Sequence, residues 1–462
     1  MAALKCHLSR VARSTGGQHS AACRRIRLAA LPLVVAVGLT ACSANNGQQA
    51  DQGGKPNVPE VRTDEPAELV FHSNNGDPED AFNSLFGNAL RKKFPKYTIK
   101  YIQQKAGQTL PELLAQNQTI DILFASAPYI FGLLMDSELQ YDMTDLIKKQ
   151  GVDLNKFEPT LIDGIRASGD GKMYALPVTN MVQVMYYNQS LFDKFGVAYP
   201  KNGMTWDEAM DISRKLTRKD EGKQMLGFAS SPAHILRGNQ LSQPYLDPAT
   251  DKPTFQNDVW RSLIQLFFAD PGSDEGYKSR VSGLNRLPTW REFTDTQEIG
   301  MFVYNSQFPF TVPNDIGKVQ WDLVSLPVLK EKPKVGSAAT PFAMAVTSIS
   351  KNKEAAIKAI DYLVSRDNQL DYSRRGIMPV INDEEVKKAY GKESDFKDKN
   401  WSAVFYNQYA PMAKFSRYHL KVENILNTVP LDVMLGRKDL NTALREAAEA
   451  AEKTITEVKR GR

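Results

Sequence analysis

The sequence predicts an exported α/β protein, and three observations carry that expectation. From Glu68 onward, short apolar runs of strand length alternate with amphipathic helical stretches. Ahead of them stand a basic head (Arg24, Arg25, Arg27), an apolar run over 28–39, and small residues leading to Cys42. That run is too short to span a bilayer and has the order of an export signal. Third, the chain contains no His-Glu-x-x-His run, Cys-x-x-Cys pair, Walker loop or Gly-x-Ser-x-Gly elbow.

The leader ends Leu39-Thr40-Ala41-Cys42, which resembles a bacterial lipobox. Residues 1–41 are therefore expected to be a lipoprotein signal peptide, with Cys42 as the lipid attachment site. An ordinary signal peptide is the alternative, and Arg24-Arg25 also brushes against a twin-arginine signal, although Arg27 stands where that motif prefers an aromatic. Removing the leader takes the basic count from 58 to 52, against 53 acids. The mature surface is thus balanced, which argues against a nucleic-acid binder. Cys6 and Cys23 leave with the leader, so no disulfide can form within the mature chain. About 400 residues remain, enough for two domains held by burial alone. Residues 42–65 are polar, carry no aromatic and read as a flexible tether.

Order begins with an apolar strand over 68–72, followed by Ser73-Asn74-Asn75-Gly76-Asp77. Pro78 suits the first turn of a helix over 79–94, with Asp77 as its N-cap. Phe82, Leu85, Phe86, Ala89 and Leu90 fall on one face of that helix. Residues 97–102 alternate as a strand, 110–117 form a helix, and 120–125 read as a buried strand. This is an open, largely parallel sheet, whose ligands sit beyond the carboxyl ends of the strands. That rule points to 73–77 and to 126–129. Further strands are expected over 173–177, 182–187, 299–304, 321–327 and 342–346, and helices over 189–195, 353–364 and 440–459. Thr205-Trp206-Asp207-Glu208 is a capping box, and Trp206 belongs with the core beneath it.

His72, His234 and His419 are scattered with no metal-ligand spacing, so neither a metal nor a cofactor is expected. Asp170 lies in a glycine turn without the oxygen ladder of a calcium loop. Ser348-Ile349-Ser350-Lys351 matches Ser-x-x-Lys formally, but it precedes a helix, where Ser350 or Asn352 serves as an N-cap. No residue stands out as catalytic, and the expectation is binding rather than turnover.

At Gly171-Lys172-Met173-Tyr174-Ala175-Leu176-Pro177 a family resemblance begins. Residues 185–196, Pro200 and the 205–208 box continue it, followed by 301–305, 326–327, 350–356, 376–379 and 436–447. In this order they resemble the family 1 extracellular solute-binding proteins of ABC importers, the relatives of maltose-binding protein, over roughly 66–460. The resemblance implies a two-lobe periplasmic-binding-protein-like (type II) fold with a central ligand cleft. By segment match, lobe 1 would hold 66–180 and 340–378, and lobe 2 would hold 181–339 and 379–462. The hinge crossings would lie near 178–182, 339–341 and 379–380.

Carried over residue by residue, the resemblance implies ligand contacts from Asn74, Asn75 and Asp77, from Ser126 and Tyr129, and from Asn180 and Gln183 at the first crossing. Asp77 and Asn75 also suit purely local roles as cap and turn. Asn305, Gln307 and Phe308 follow the 299–304 strand, with Gln307 where relatives place a stacking tryptophan; Phe308 could equally be core. Arg417, Tyr418 and His419 lie where relatives close the pocket, with Tyr418 the expected contact. The implied function is a monomeric, lipid-anchored subunit at the outer face of the cell membrane that captures a carbohydrate and delivers it to ABC permease subunits. An envelope enzyme acting on saccharides and a sensory or scaffold lipoprotein are the alternatives.

Overall fold

Leu69 and Phe71 point into the core from the first strand, β1 (Ala67–His72), and both are fully buried. The computed structural model describes residues 65–460. The expected signal peptide, Cys42 and nearly all of the tether lie outside the described residues. In chain order the remaining strands are β2 (Tyr97–Ile102), β3 (Ile122–Ser126), β4 (Leu176–Thr179), β5 (Gln183–Asn188), β6 (Arg218–Asp220), β7 (Lys223–Ser230), β8 (Ile299–Asn305), β9 (Trp321–Ser325), β10 (Val335–Ala338), β11 (Phe342–Val346) and β12 (Gln408–Ala410).

They build two five-stranded sheets and one small pair. The first sheet runs β2-β1-β3-β11-β4, with β2, β1 and β3 parallel and β11 antiparallel to both β3 and β4. The second runs β6-β7-β8-β5-β9, with β7 and β8 parallel and β5 antiparallel to β8 and β9. β10 and β12 pair in parallel. The mixed α/β class is as expected, but β6, β7, β10 and β12 are additions to the expected strands.

The first helix differs from expectation at its start. It begins at Glu79, Pro78 is its extended N-cap residue, and no side chain caps it. Asp77 instead stays in the loop, where its carbonyl accepts from Tyr101 Oη at 2.9 Å. The helix also widens into a π-turn over Asn83–Gly87 before resuming at Asn88. Phe82 stacks on Tyr101 at 4.5 Å, fixing the helix to β2.

The second sheet is covered by the helix Trp206–Leu216, whose capping box is formed as expected, with Thr205 and Glu208 bonding each other's backbone. Trp206 is 2% exposed and donates its indole N–H to Gln240 Oε1 at 2.7 Å, a core role. Of the two expected caps, Asn352 stands at the N-cap position of the helix Lys353–Leu363 without a side-chain cap bond, while Ser350 donates to Asp121 Oδ1 at 2.5 Å and ties the approach to that helix to the start of β3.

The chain passes between the sheets where β4 leads through Asn180, Met181 and Val182 into β5, and again where β9 and β10 return to β11. These passages lie side by side. Asn180 N–H donates to the Met378 carbonyl at 2.9 Å, and Thr340 N–H to the Met181 carbonyl at 2.9 Å. Further on, Phe157 and Ile381 form an antiparallel bridge, and the helix Glu384–Lys388 packs on the helix Arg366–Arg374. Tyr390, Trp401 and Phe405 then pack together, with Trp401 against Trp321 of β9.

Candidate functional site

The carboxyl ends of β3, β4, β7 and β8 converge on these passages. Ser126, the last residue of β3, is 6% exposed and pairs with Phe342, and Ala127 N–H donates to the Pro341 carbonyl at 2.8 Å. Asn305, the last residue of β8, pairs with Gln183 in register, and Ser306 N–H donates to the Val182 carbonyl at 2.8 Å. Gln307 donates from Nε2 to the Asn180 carbonyl at 2.7 Å. Four of the expected residues (Asn180, Gln183, Asn305, Gln307) are thereby brought together at the first passage.

Asn180 is completely buried, yet neither its Oδ1 nor its Nδ2 has a hydrogen-bond partner. Gln183 Oε1, Ser230 Oγ at the end of β7, and Asn74 Oδ1 after β1 are likewise buried and unpartnered. Most buried polar side-chain atoms in folded proteins find partners, and leaving one without costs about 1–3 kcal/mol. Such atoms at strand ends, with Asn180 and Gln183 flanking one passage, fit a site whose partners arrive with a ligand. Amides suit hydroxyl-rich ligands because each offers directional donors and acceptors together.

The other expected residues are placed differently. Asn75 is exposed, and its N–H donates to Ser73 Oγ at 3.2 Å. Gln104 and Gln103 hold the Asn74 and Gly76 carbonyls at 3.1 and 2.8 Å, so this loop is braced through its backbone. Phe308 is 2% exposed and packs among Tyr186, Trp290, Phe302 and Tyr304, which leaves its ring no free face. Tyr418 lines a separate groove of about 290 Å³ with Phe131, Met135, Leu246 and Lys414, apart from the group around Asn180.

Tyr129, in the first turn of the helix Ala127–Asp136, meets Arg237, which with Glu423 is one of two residues that sequence reading passed over. Its hydroxyl accepts from Arg237 Nη2, and the guanidinium lies 5.0 Å from its ring centroid. Arg237 is itself held by Glu423, through Nε to Oε2 at 2.9 Å and through Nη2 to Oε1. His419, one helical turn before Glu423, pairs with Oε2 at 3.1 Å. Burial alone would raise the Glu423 carboxyl, but the bonds with His419 and Arg237 outweigh it and hold the pKa at about 2. Arg237 stays charged.

His234 opens this same loop. Its Nδ1 lies 2.7 Å from Ser231 Oγ, its carbonyl accepts from Gln183 Nε2, and its ring sits 4.5 Å from Tyr304. A Cβ at Gly238 would lie inside contact distance of Gln183 Nε2, so a side chain there would displace the glutamine from the His234 carbonyl. Burial, then the charge of Arg237, brings the His234 pKa down to about 4. Burial also lowers His72 and His419. A histidine kept neutral in the fold contributes its full stability above pH 6.5, and that stability falls as pH drops towards 4. For His234 alone the loss is on the order of 3 kcal/mol. Urea unfolding at pH 7 and pH 4.5 checks this, with His234→Phe expected to flatten the difference.

Among the described residues no cluster of His, Cys, Asp and Glu could hold a metal, and no helix is long and apolar enough to cross a membrane. The sequence profile of bacterial extracellular solute-binding proteins matches residues 75–370. The chain belongs to that family. A putative binding protein of Brucella abortus is 23% identical over 305 residues, spanning 61% of this chain and 68% of its own length. Among solved structures, an ABC substrate-binding protein of Listeria monocytogenes in complex with cycloalternan superposes with a TM-score of 0.67 at 18% identity, covering 85% of this chain and all of that one. A sugar transporter protein of Rhizobium etli in an open conformation gives 0.65 at 21% identity, covering 83% and 99%. The cyclic alpha-maltosyl-1,6-maltose binding protein of Arthrobacter globiformis gives 0.62 at 17% identity, covering 84% and 98%. The fold is therefore the two-lobe solute-binding fold. The family and these neighbours are binding proteins, not enzymes.

Proposed function

We propose that this solute-binding protein is the substrate-binding subunit of an ABC importer, tethered by a lipid on Cys42 at the outer face of the cell membrane. It captures a carbohydrate between its lobes and hands it unaltered to permease subunits. The observation that carries the ligand reading is the set of buried, unpartnered amide and hydroxyl groups at Asn180, Gln183 and Ser230. Saccharide hydroxyls would satisfy both halves of the Asn180 amide and the free Oε1 of Gln183, and one neighbour solved with cycloalternan and another named for binding cyclic alpha-maltosyl-1,6-maltose support that ligand class. Capture works by closure: a ligand touching both lobes favours the closed form by its differential affinity. The lipobox-like leader and the polar tether are what support anchoring.

Calorimetric titration of the mature protein with mono- and oligosaccharides, with chromatography of the mixture afterwards, tests this reading. Saturable binding with the sugar recovered intact is expected. Released or altered sugar would turn the assignment to an enzyme, and no binding to any saccharide would remove the ligand class.

A further inference from the structure

The chain holds three Asn-Gly pairs, at 46–47, 75–76 and 202–203. The first lies outside the described residues, and the other two differ in how they are held. Both glycines take a positive φ, 71° at Gly76 and 77° at Gly203, where a side chain would be strained. Asn202 is tied on both sides of its peptide bond. Its Oδ1 accepts from Ser325 N–H at 2.9 Å and from Asn400 Nδ2 at 3.4 Å, and Gly203 N–H donates to Ser325 Oγ at 2.9 Å. Asn75 is exposed, and among the described residues neither its side-chain amide nor the Gly76 N–H has a hydrogen-bond partner. Gln104 and Gln103 brace this loop only through the carbonyls of Asn74 and Gly76, at 3.1 and 2.8 Å. That bracing leaves the Gly76 nitrogen and the Asn75 side chain free to approach each other.

We propose that Asn75 is a self-modification site, which converts slowly to isoaspartate and weakens ligand capture as it does so. Asparagine is a thermolabile residue, and a following glycine leaves its nitrogen least obstructed, having no Cβ. The Gly76 nitrogen attacks Asn75 Cγ and forms a new C–N bond. The bond from Cγ to Nδ2 breaks, and ammonia leaves with the proton from Gly76. One water then opens the five-membered imide at either carbonyl, giving aspartate or isoaspartate with no change of oxidation state. Isoaspartate routes the main chain through the side-chain carbons, which lengthens it by one carbon between Asn74 and Gly76. It also adds a carboxylate two residues before Asp77. Because Gln104 and Gln103 grip the carbonyls on either side, the extra carbon releases one of them and moves Asn74, whose Oδ1 is buried and unpartnered. The effect on capture rests on the saccharide reading above; the conversion itself does not.

The test is to hold the mature protein in warm, mildly alkaline buffer and map its peptides by mass spectrometry with isoaspartate labelling. Asn75 is expected to convert at least tenfold faster than Asn202, and the two rates to draw level when the chain is unfolded in urea. Asn75→Gln, whose longer arm disfavours the ring, is expected to give no product at this position. Converted protein, separated by ion exchange, is expected to bind its best-bound saccharide at least threefold more weakly, while aged Asn75→Gln keeps its initial affinity. Equal rates at Asn75 and Asn202 in the folded protein would overturn the site. Converted protein that binds as tightly as fresh protein would overturn the effect on capture. Fresh protein that binds no saccharide overturns the saccharide reading and that effect with it, while the conversion stands or falls on the peptide map.

Discussion

Glu423→Ala is expected to destabilise the fold by about 3–5 kcal/mol, the loss typical when one partner of a buried ion pair is removed. The carboxylate side chain is 1% exposed and the guanidinium it holds is 10% exposed. Without Glu423, Arg237 keeps a charge it cannot shed and loses two of its bonds, while His419 Nε2 loses its partner. Arg237→Met should be milder, at about 1–3 kcal/mol, because Glu423 keeps His419 and can take up a proton. The double change to methionine should recover much of the loss, since two apolar side chains leave no charge unpaired. Urea midpoints for the three variants decide the order. The sign with pH follows from the depressed carboxyl: its contribution is complete above about pH 4.5 and is lost as pH falls towards 2.

Asn180→Leu is expected to move stability and binding in opposite directions. The native amide is fully buried with both polar atoms unpartnered, so a leucine of similar size removes a desolvation penalty. The unliganded protein should be unchanged or stabilised by about 1–2 kcal/mol. Ligand affinity should fall on the order of a hundredfold, about 3 kcal/mol, because hydroxyls that met the amide would face a hydrocarbon. The backbone of Asn180 bonds Met378 and Gln307, and those bonds survive the change, so the passage itself is preserved. Melting temperature and calorimetric affinity on one preparation check both halves. A loss of stability would mean that Asn180 serves structure alone.

Much of this architecture was legible because it rests on local pattern. Leu69 to Phe71, Ile122 to Ala125 and Phe342 to Val346 are apolar runs of strand length, and all became strands of the first sheet. Thr205 and Glu208 announced a helix start through hydrogen-bond chemistry confined to four residues. The π-turn within the first helix left no such trace, because a one-residue widening depends on how Phe82 and Phe86 pack. β7 escaped notice since it opens on Lys223 and Gln224 and turns apolar only from Met225.

The site was readable where it follows from strand ends and unreadable where it follows from long-range pairing. Asn180, Gln183, Asn305 and Gln307 flank strands and do gather. Arg237 and Glu423 meet across 186 positions, and nothing near either one names the other. Ser231-Pro232 directly after an apolar run was the available signal for that loop, since serine and proline there open a short helix beyond a strand end. Pocket closure was expected at 417–419; Glu423, which reaches Arg237, stands one turn beyond His419 on the helix His419–Leu426 and bonds it.

Small-angle scattering of the mature protein, alone and saturated with its best-bound saccharide, tests the central claim of capture by closure. The two sheets communicate through narrow passages at Asn180–Val182 and Thr340–Pro341, so the lobes should draw together around a ligand. The radius of gyration is predicted to fall on saturation, and Asn180→Leu at the same saccharide concentration is predicted to show no change. An identical radius with and without bound sugar would contradict the account.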